Sequence, residues 1–153
     1  GVETSRSGRE QFQDVRTAAF DRVMYAENLM QPAFRFIGAF TPDSGYELMK
    51  QAITKLGDTL PHGFIVANDT MAVGALRALN EAKIEVPQRV SVISFNDVAV
   101  AKFTTPPLST VHAATDQMGQ TAVELLQARI KDPKRVPRQV NFKSELIMRA
   151  SSL

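Results

Sequence analysis

The strongest constraint on this chain is the way its hydrophobic residues change period. Stretches with apolar residues every three or four positions alternate with short continuous apolar runs. Residues 12–29 place Phe12, Val15, Ala19, Val23 and Ala26 at helical spacing, with Pro32 beyond. Residues 34–37, Phe-Arg-Phe-Ile, read as a short strand. Thr41 and Pro42 then supply a cap and a first-turn proline for a helix carrying Leu48, Met49, Ala52, Ile53 and Leu56 on one face and stopping at Gly57. Residues 64–67, Phe-Ile-Val-Ala, form a continuous apolar run of the kind buried on both faces of a parallel sheet. Asn68 and Asp69 read as caps of a helix striped by Met71, Ala72, Ala75, Leu76 and Leu79, and Pro87 precedes another buried strand over 90–95.

This grammar of helix, strand, helix, strand, helix, strand predicts an α/β fold with a parallel sheet. Such sheets bind ligands outside the carboxyl ends of their strands, here just after Ala67 and Phe95. From Thr105-Pro106-Pro107 onward the style changes. An extended piece over 108–111 leads into a helix from Thr115 to Lys131 with Met118, Ala122, Leu125, Leu126 and Ile130 on one side. A tail over 138–149 alternates, with Val140, Phe142, Leu146 and Met148 sharing a face.

Composition narrows the function classes. The 153 residues are enough for one domain with a core, and 44% hydrophobic with 22% charged residues is ordinary for a globular chain. No stretch approaches a membrane span, and no signal-peptide pattern is present, which fits a cytoplasmic protein. With no cysteine there is no disulfide, thiolate metal site or cysteine nucleophile. His62 and His112 stand far apart, and no nucleophile elbow, phosphate loop or zinc motif occurs. No catalytic residue, metal or cofactor is expected, and an isomerase or hydrolase has no constellation to support it. The net charge is only +2. The late basic residues Arg129, Lys131, Lys134, Arg135, Arg138, Lys143 and Arg149 read as a solvated helix end and strand face rather than a phosphate-binding patch.

Three stretches in order resemble the effector-binding core of LacI/GalR transcriptional regulators. They are Ala67-Asn68-Asp69-Thr70-Met71-Ala72-Val73-Gly74 (a family A-N-D-x-M-A-x-G step), Val86-Pro87-Gln88-Arg89-Val90-Ser91-Val92-Ile93-Ser94-Phe95-Asn96-Asp97 (V-P-x-D-V-S-V-I-G-F-D-D) and Thr105-Pro106-Pro107-Leu108-Ser109-Thr110-Val111 (T-P-P-L-T-T-V). The resemblance implies a truncated type I periplasmic-binding-protein-like lobe. Residues 1–107 would form the second lobe of the effector domain. Residues 108–153 would supply a crossover strand, a companion-lobe helix and a C-terminal strand, with 108–140 packing on an absent first lobe. The chain would open just after the lobe's first strand, Gly1 belonging to the glycine turn that ends it. In the family, a small molecule closes between two lobes and alters the spacing of DNA-binding heads across a dimer, and here the head would be missing.

Matched residue by residue, the resemblance assigns effector contacts to Arg16, Phe40, Asn68 and Asn96. Arg16 would offer a fork of donors to hydroxyls or a carboxylate, and Phe40 an aromatic face to a sugar ring. Asn68 would combine hydrogen bonding to a hydroxyl with helix capping. Asn96 stands where many sugar-responsive members have aspartate, so it keeps the shape without the charge. Asp97 reads as a turn or cap residue. The implied partners are a small-molecule effector of sugar type, a second copy through the small residues Ala72, Gly74, Ala75 and Ala78, and operator DNA through the missing head. A solute-binding protein of a transport system shares the architecture and is the alternative. A lobe without its first strand, with an uncovered face on the helix from Thr115, would self-associate or belong to a longer polypeptide, and would bind effector poorly alone.

Overall fold

A computed structural model of the chain describes residues 14–153. Its elements are α1 (Val15–Ala26), α2 (Pro42–Leu56), β1 (Gly63–Ile65), α3 (Asp69–Glu81), β2 (Ser91–Asn96), β3 (Ser109–His112), α4 (Thr115–Lys131) and β4 (Glu145–Ile147). The strands form one sheet in the order β1-β2-β3-β4, with β1, β2 and β3 parallel and β4 antiparallel to β3. The fold is therefore the α/β, mostly parallel architecture that the sequence predicts. Phe12 and the glycine turn assigned to Gly1 lie outside the described residues.

Local chemistry explains the best-defined elements. The Thr41 hydroxyl accepts from the Ser44 N–H at 3.2 Å, Pro42 occupies the first turn, and Gly57 ends α2 with φ of 49°. The Asn68 side chain caps α3 by accepting from the Met71 N–H at 2.8 Å. The core lies where α2 and α3 pack against one face of the sheet: Met49 and Ala52 from α2, Ala72, Ala75, Leu76 and Leu79 from α3, and Val90, Val92, Ala101 and Leu108 from the sheet side. The chain end is stitched in as well. Ser151 is fully buried, donates its hydroxyl to the Val92 carbonyl at 2.6 Å and accepts from the Ser109 N–H at 2.8 Å.

Several expectations are corrected. Residues 34–37 are not a strand among the described residues. A short 3-10 turn over Pro32–Phe34 precedes extended backbone at Arg35, and no described strand offers it a ladder. β1 is not buried on both faces, since Ile65 is 58% exposed and the edge away from β2 is unpaired among the described residues. In α1 the anticipated apolar stripe is uncovered: Val15 is 81% exposed, and Thr17 is the buried residue. In the tail, only Glu145–Ile147 pairs among the described residues, and the face shared by Val140, Leu146 and Met148 is the exposed one, with Arg149 turned inward. The small residues Ala72, Gly74, Ala75 and Ala78 are buried within the chain, so they do not offer a surface to a second copy.

α2 and α3 cross at backbone-contact distance. A Cβ on Gly74 would stand 1.9 Å from the Pro42 carbonyl oxygen, and one on Gly45 2.0 Å from that of Met71. Gly119 in α4 has nothing within 4 Å of such a Cβ. Gly74→Ala is therefore expected to destabilise by roughly 1–3 kcal/mol. Gly119→Ala should stabilise by up to about 1 kcal/mol through helix propensity. Urea unfolding of the two variants checks the pair, and equal effects would refute the close crossing. A second expectation concerns α4, which buries none of its residues and leaves Leu126 60% and Ile130 70% exposed. Expressed alone, the 153-residue chain should self-associate through this face and the β1 edge. Light scattering showing only a 16.9 kDa monomer would refute that.

Candidate ligand site

The ends of β1 and β2 lie side by side because the two strands pair in parallel, Ile65 opposite Ile93. The chain leaves β1 through Ala67 and Asn68 and leaves β2 at Asn96. Arg16, in the first turn of α1, bridges these exits. Its Nη1 donates to the Ala67 carbonyl, and its guanidinium carbon lies 5.3 Å from the centre of the Phe95 ring and 6.0 Å from that of Phe40. Both distances are within cation–π range.

Asp14, the N-cap of α1, sets the guanidinium in place. Its carboxylate accepts from the Arg16 N–H at 2.9 Å and from Nε at 3.0 Å, and meets Nη2 at 2.5 Å. The hydrogen bond to Arg16 holds the Asp14 carboxyl below the usual carboxylate range and raises Arg16 in return. Nε, one N–H of Nη1 and one of Nη2 are thus engaged internally, and a further N–H on each terminal nitrogen remains for a ligand.

Of the four residues singled out in the sequence, Arg16 and Phe40 are in contact. Asn68 follows the carbonyl that Arg16 grips, and Asn96 follows the ring that Arg16 covers. No hydrogen bond among the described residues links either asparagine to Arg16. Asn68 spends its side-chain oxygen on the α3 cap, which leaves its amide N–H groups for a ligand. Asn96 is exposed with φ of 107°, and Asp97 follows with φ of 56°. Non-glycine residues held in this half of backbone space cost roughly 1–3 kcal/mol each, less for Asn and Asp than for others. Something must hold that turn. Asp97 is part of the answer: its carboxylate pairs with Arg149 Nη2 at 2.6 Å and His112 Nδ1 at 3.2 Å. Arg149 also donates to the Leu108 carbonyl at 2.7 Å, so it is a tie between the tail and the strand ends, not part of a basic patch.

Sequence reading missed Phe95, Asp14, Arg149 and Asp69. Phe95 looked like an ordinary strand residue. Asp69 looked like a cap, yet its carboxylate is fully buried and turned across the sheet to Ser94 and Thr110. An apolar groove of about 780 Å³ begins at Arg16, Ala67 and Phe95 and runs between α1, α2 and β1. Phe40, Asn68 and Asn96 lie outside it, and its walls of Phe20, Val23, Met24 and Leu48 offer little to a polyol. The polar groups that could read hydroxyls are at the strand ends instead. No cluster of three metal-ligating side chains occurs among the described residues.

The family model for a periplasmic binding protein-like domain matches residues 2–152. The HTH-type transcriptional regulator GalR of Lacticaseibacillus casei is 99% identical over the whole chain, which covers 46% of that relative. A LacI family transcriptional regulator from Lactobacillus casei with bound sucrose superposes with a TM-score of 0.83 at 26% identity, over 98% of this chain and 55% of that one. The lac repressor dimer bound to operator and an anti-inducer gives a TM-score of 0.80 at 27% identity, over 91% and 47%. The chain thus spans about half the length of the relatives it matches. With the family model matched nearly end to end, the chain belongs to the periplasmic binding protein-like domain family, in the form carried by LacI/GalR-type regulators.

Proposed function

We propose that this chain is the effector-sensing part of a sugar-responsive transcriptional regulator. Binding at the ends of β1 and β2 would modulate operator binding by a DNA-binding head elsewhere in the polypeptide. The observation that carries this reading is a guanidinium set by Asp14 against the rings of Phe95 and Phe40, beside the strand exits that carry Asn68 and Asn96. Sugars present apolar ring faces flanked by hydroxyls, and aromatic faces beside neutral or cationic donors suit both. Residues 1–107 would supply most of this half-site, and within 108–153 helix α4 would pack on a companion lobe that completes the cleft. The regulator would act as a homodimer in the cytoplasm, binding its effector without transforming it. The names of the relatives favour this over a transport-system binding protein. No described helix is long and apolar enough to cross a membrane.

In a full-length protein carrying this sequence, Arg16→Ala should cost about 1–3 kcal/mol of sugar binding, the range for losing a charged hydrogen bond. Titration calorimetry against glucose, galactose and sucrose checks this, and unchanged affinity would remove Arg16 from the site. Asn96→Asp should reorder the preference among these sugars and lower the melting temperature by only a few degrees, because residue 96 is exposed and solvent screens the added charge beside Asp97. Identical rankings in both proteins would mean that position 96 does not read the effector.

A further inference from the structure

Asp69 occupies the first position of α3 and has no accessible surface. Its carboxylate leaves the helix and holds three other segments. Oδ1 accepts from the Thr110 hydroxyl at 2.6 Å and from the Ser94 hydroxyl, and Oδ2 accepts from the Val98 N–H at 2.7 Å. Ser94 and Thr110 are register partners on β2 and β3, and both are fully buried. Ser94 and Val98 bracket the left-handed pair Asn96 and Asp97. One carboxylate therefore pins that turn on its strand side and on its exit side. A third tie runs through the same cluster, since Thr110 Oγ1 also accepts from the Asp97 N–H at 3.3 Å.

We propose that Asp69 is a positioning residue for the ligand site, holding the Asn96–Asp97 turn in its left-handed form so that the Asn96 amide is set before ligand arrives. This rests on the reading of Asn96 as an effector contact. Beyond Arg16 and Phe95 at its mouth, the groove along β1 is walled by apolar side chains, and the exposed face of α4 is apolar as well. A fully buried carboxylate that serves only the fold could lie anywhere in the core. This one is spent on the two residues that flank a strained, exposed turn. Isosteric Asp69→Asn keeps an oxygen for Val98 and an NH2 for hydroxyls that can turn to accept, so the fold survives. The charge that strengthens each bond is lost, and the turn loosens.

A double-mutant cycle between positions 69 and 96 separates this from a general structural role, because residues that act together give non-additive effects. The full-length protein would be titrated with glucose and with sucrose as Asp69→Asn, Asp69→Ala, Asn96→Ala and the two double variants. With Asn96 present, Asp69→Asn is expected to weaken binding several-fold and Asp69→Ala about tenfold or more. In the Asn96→Ala background each should change it less than twofold. Amide exchange at Val98, measured without sugar, should quicken at least tenfold in Asp69→Asn. Equal losses in both backgrounds, or an unchanged Val98 exchange rate, would overturn the proposal. An Asn96→Ala single variant that binds both sugars normally, or an unsubstituted protein that binds neither, would instead strike at the effector reading and take the proposal with it.

Discussion

The close crossing of α2 and α3 is the constraint from which the rest follows. Backbone meets backbone at Gly45 and Gly74, with no room for a Cβ at either. Such contact fixes the axial position of α3 against α2 to within a fraction of a residue, since any slide drives a side chain into a carbonyl. The alanines flanking Gly74 complete the arrangement by filling the space between α2 and the sheet with little side-chain entropy to lose. With α3 immobile, its N-terminus is immobile too, and that end carries Asn68 and Asp69. Packing in the core therefore sets geometry at the strand ends, where the proposed ligand site lies.

The strand ends themselves show how one residue meets two demands. Arg16 anchors α1 to β1 through the Ala67 carbonyl and is itself locked by Asp14, yet each terminal nitrogen keeps a donor. A ligand that meets this guanidinium finds it already oriented and its charge already balanced, so little ordering entropy remains to be lost on binding. Asn68 repeats the economy: its oxygen caps α3 while its amide nitrogen stays available. A structural bond and an available donor are therefore not rivals at these positions. The structural bond is what gives the remaining donor a direction.

Elements whose signals are local were legible in the sequence. Thr41, Pro42 and Gly57 bound α2 as expected, and α4 runs from Thr115 to Lys131 as its apolar spacing indicates. Elements that depend on a distant partner were not. Residues 34–37 have strand chemistry but no neighbour to pair with among the described residues, and the alternation of the tail could be phased either way until Arg149 found Leu108 and Asp97. The small residues of α3 read as an interface between copies, whereas the close approach of α2 at Gly45 and Gly74 places them inside the chain. At the site, Arg16, Phe40, Asn68 and Asn96 stood out through a family pattern. Phe95 and Asp69 did not, because an aromatic strand residue and a residue beside a cap look the same whether or not their side chains turn toward the site.

Charge gives the amide at position 96 a physical rationale. Asp14 is neutralised by Arg16 and Asp97 by Arg149, each within 2.6 Å. Asp69 has no cation in hydrogen-bond contact among the described residues. Its charge is carried by two hydroxyls, one backbone N–H and the positive end of α3. A carboxylate at 96 would stand next in sequence to Asp97 and two residues from the N–H that Asp69 holds. It would add repulsion to a turn that is already held in an uncommon conformation. With asparagine there, the strand end keeps a hydrogen-bonding group of the same shape and avoids that repulsion. The exchange is in strength: a neutral acceptor grips a hydroxyl about half as firmly as a charged one. In the proposed site more of the recognition would then fall to Arg16, whose terminal nitrogens each keep a donor.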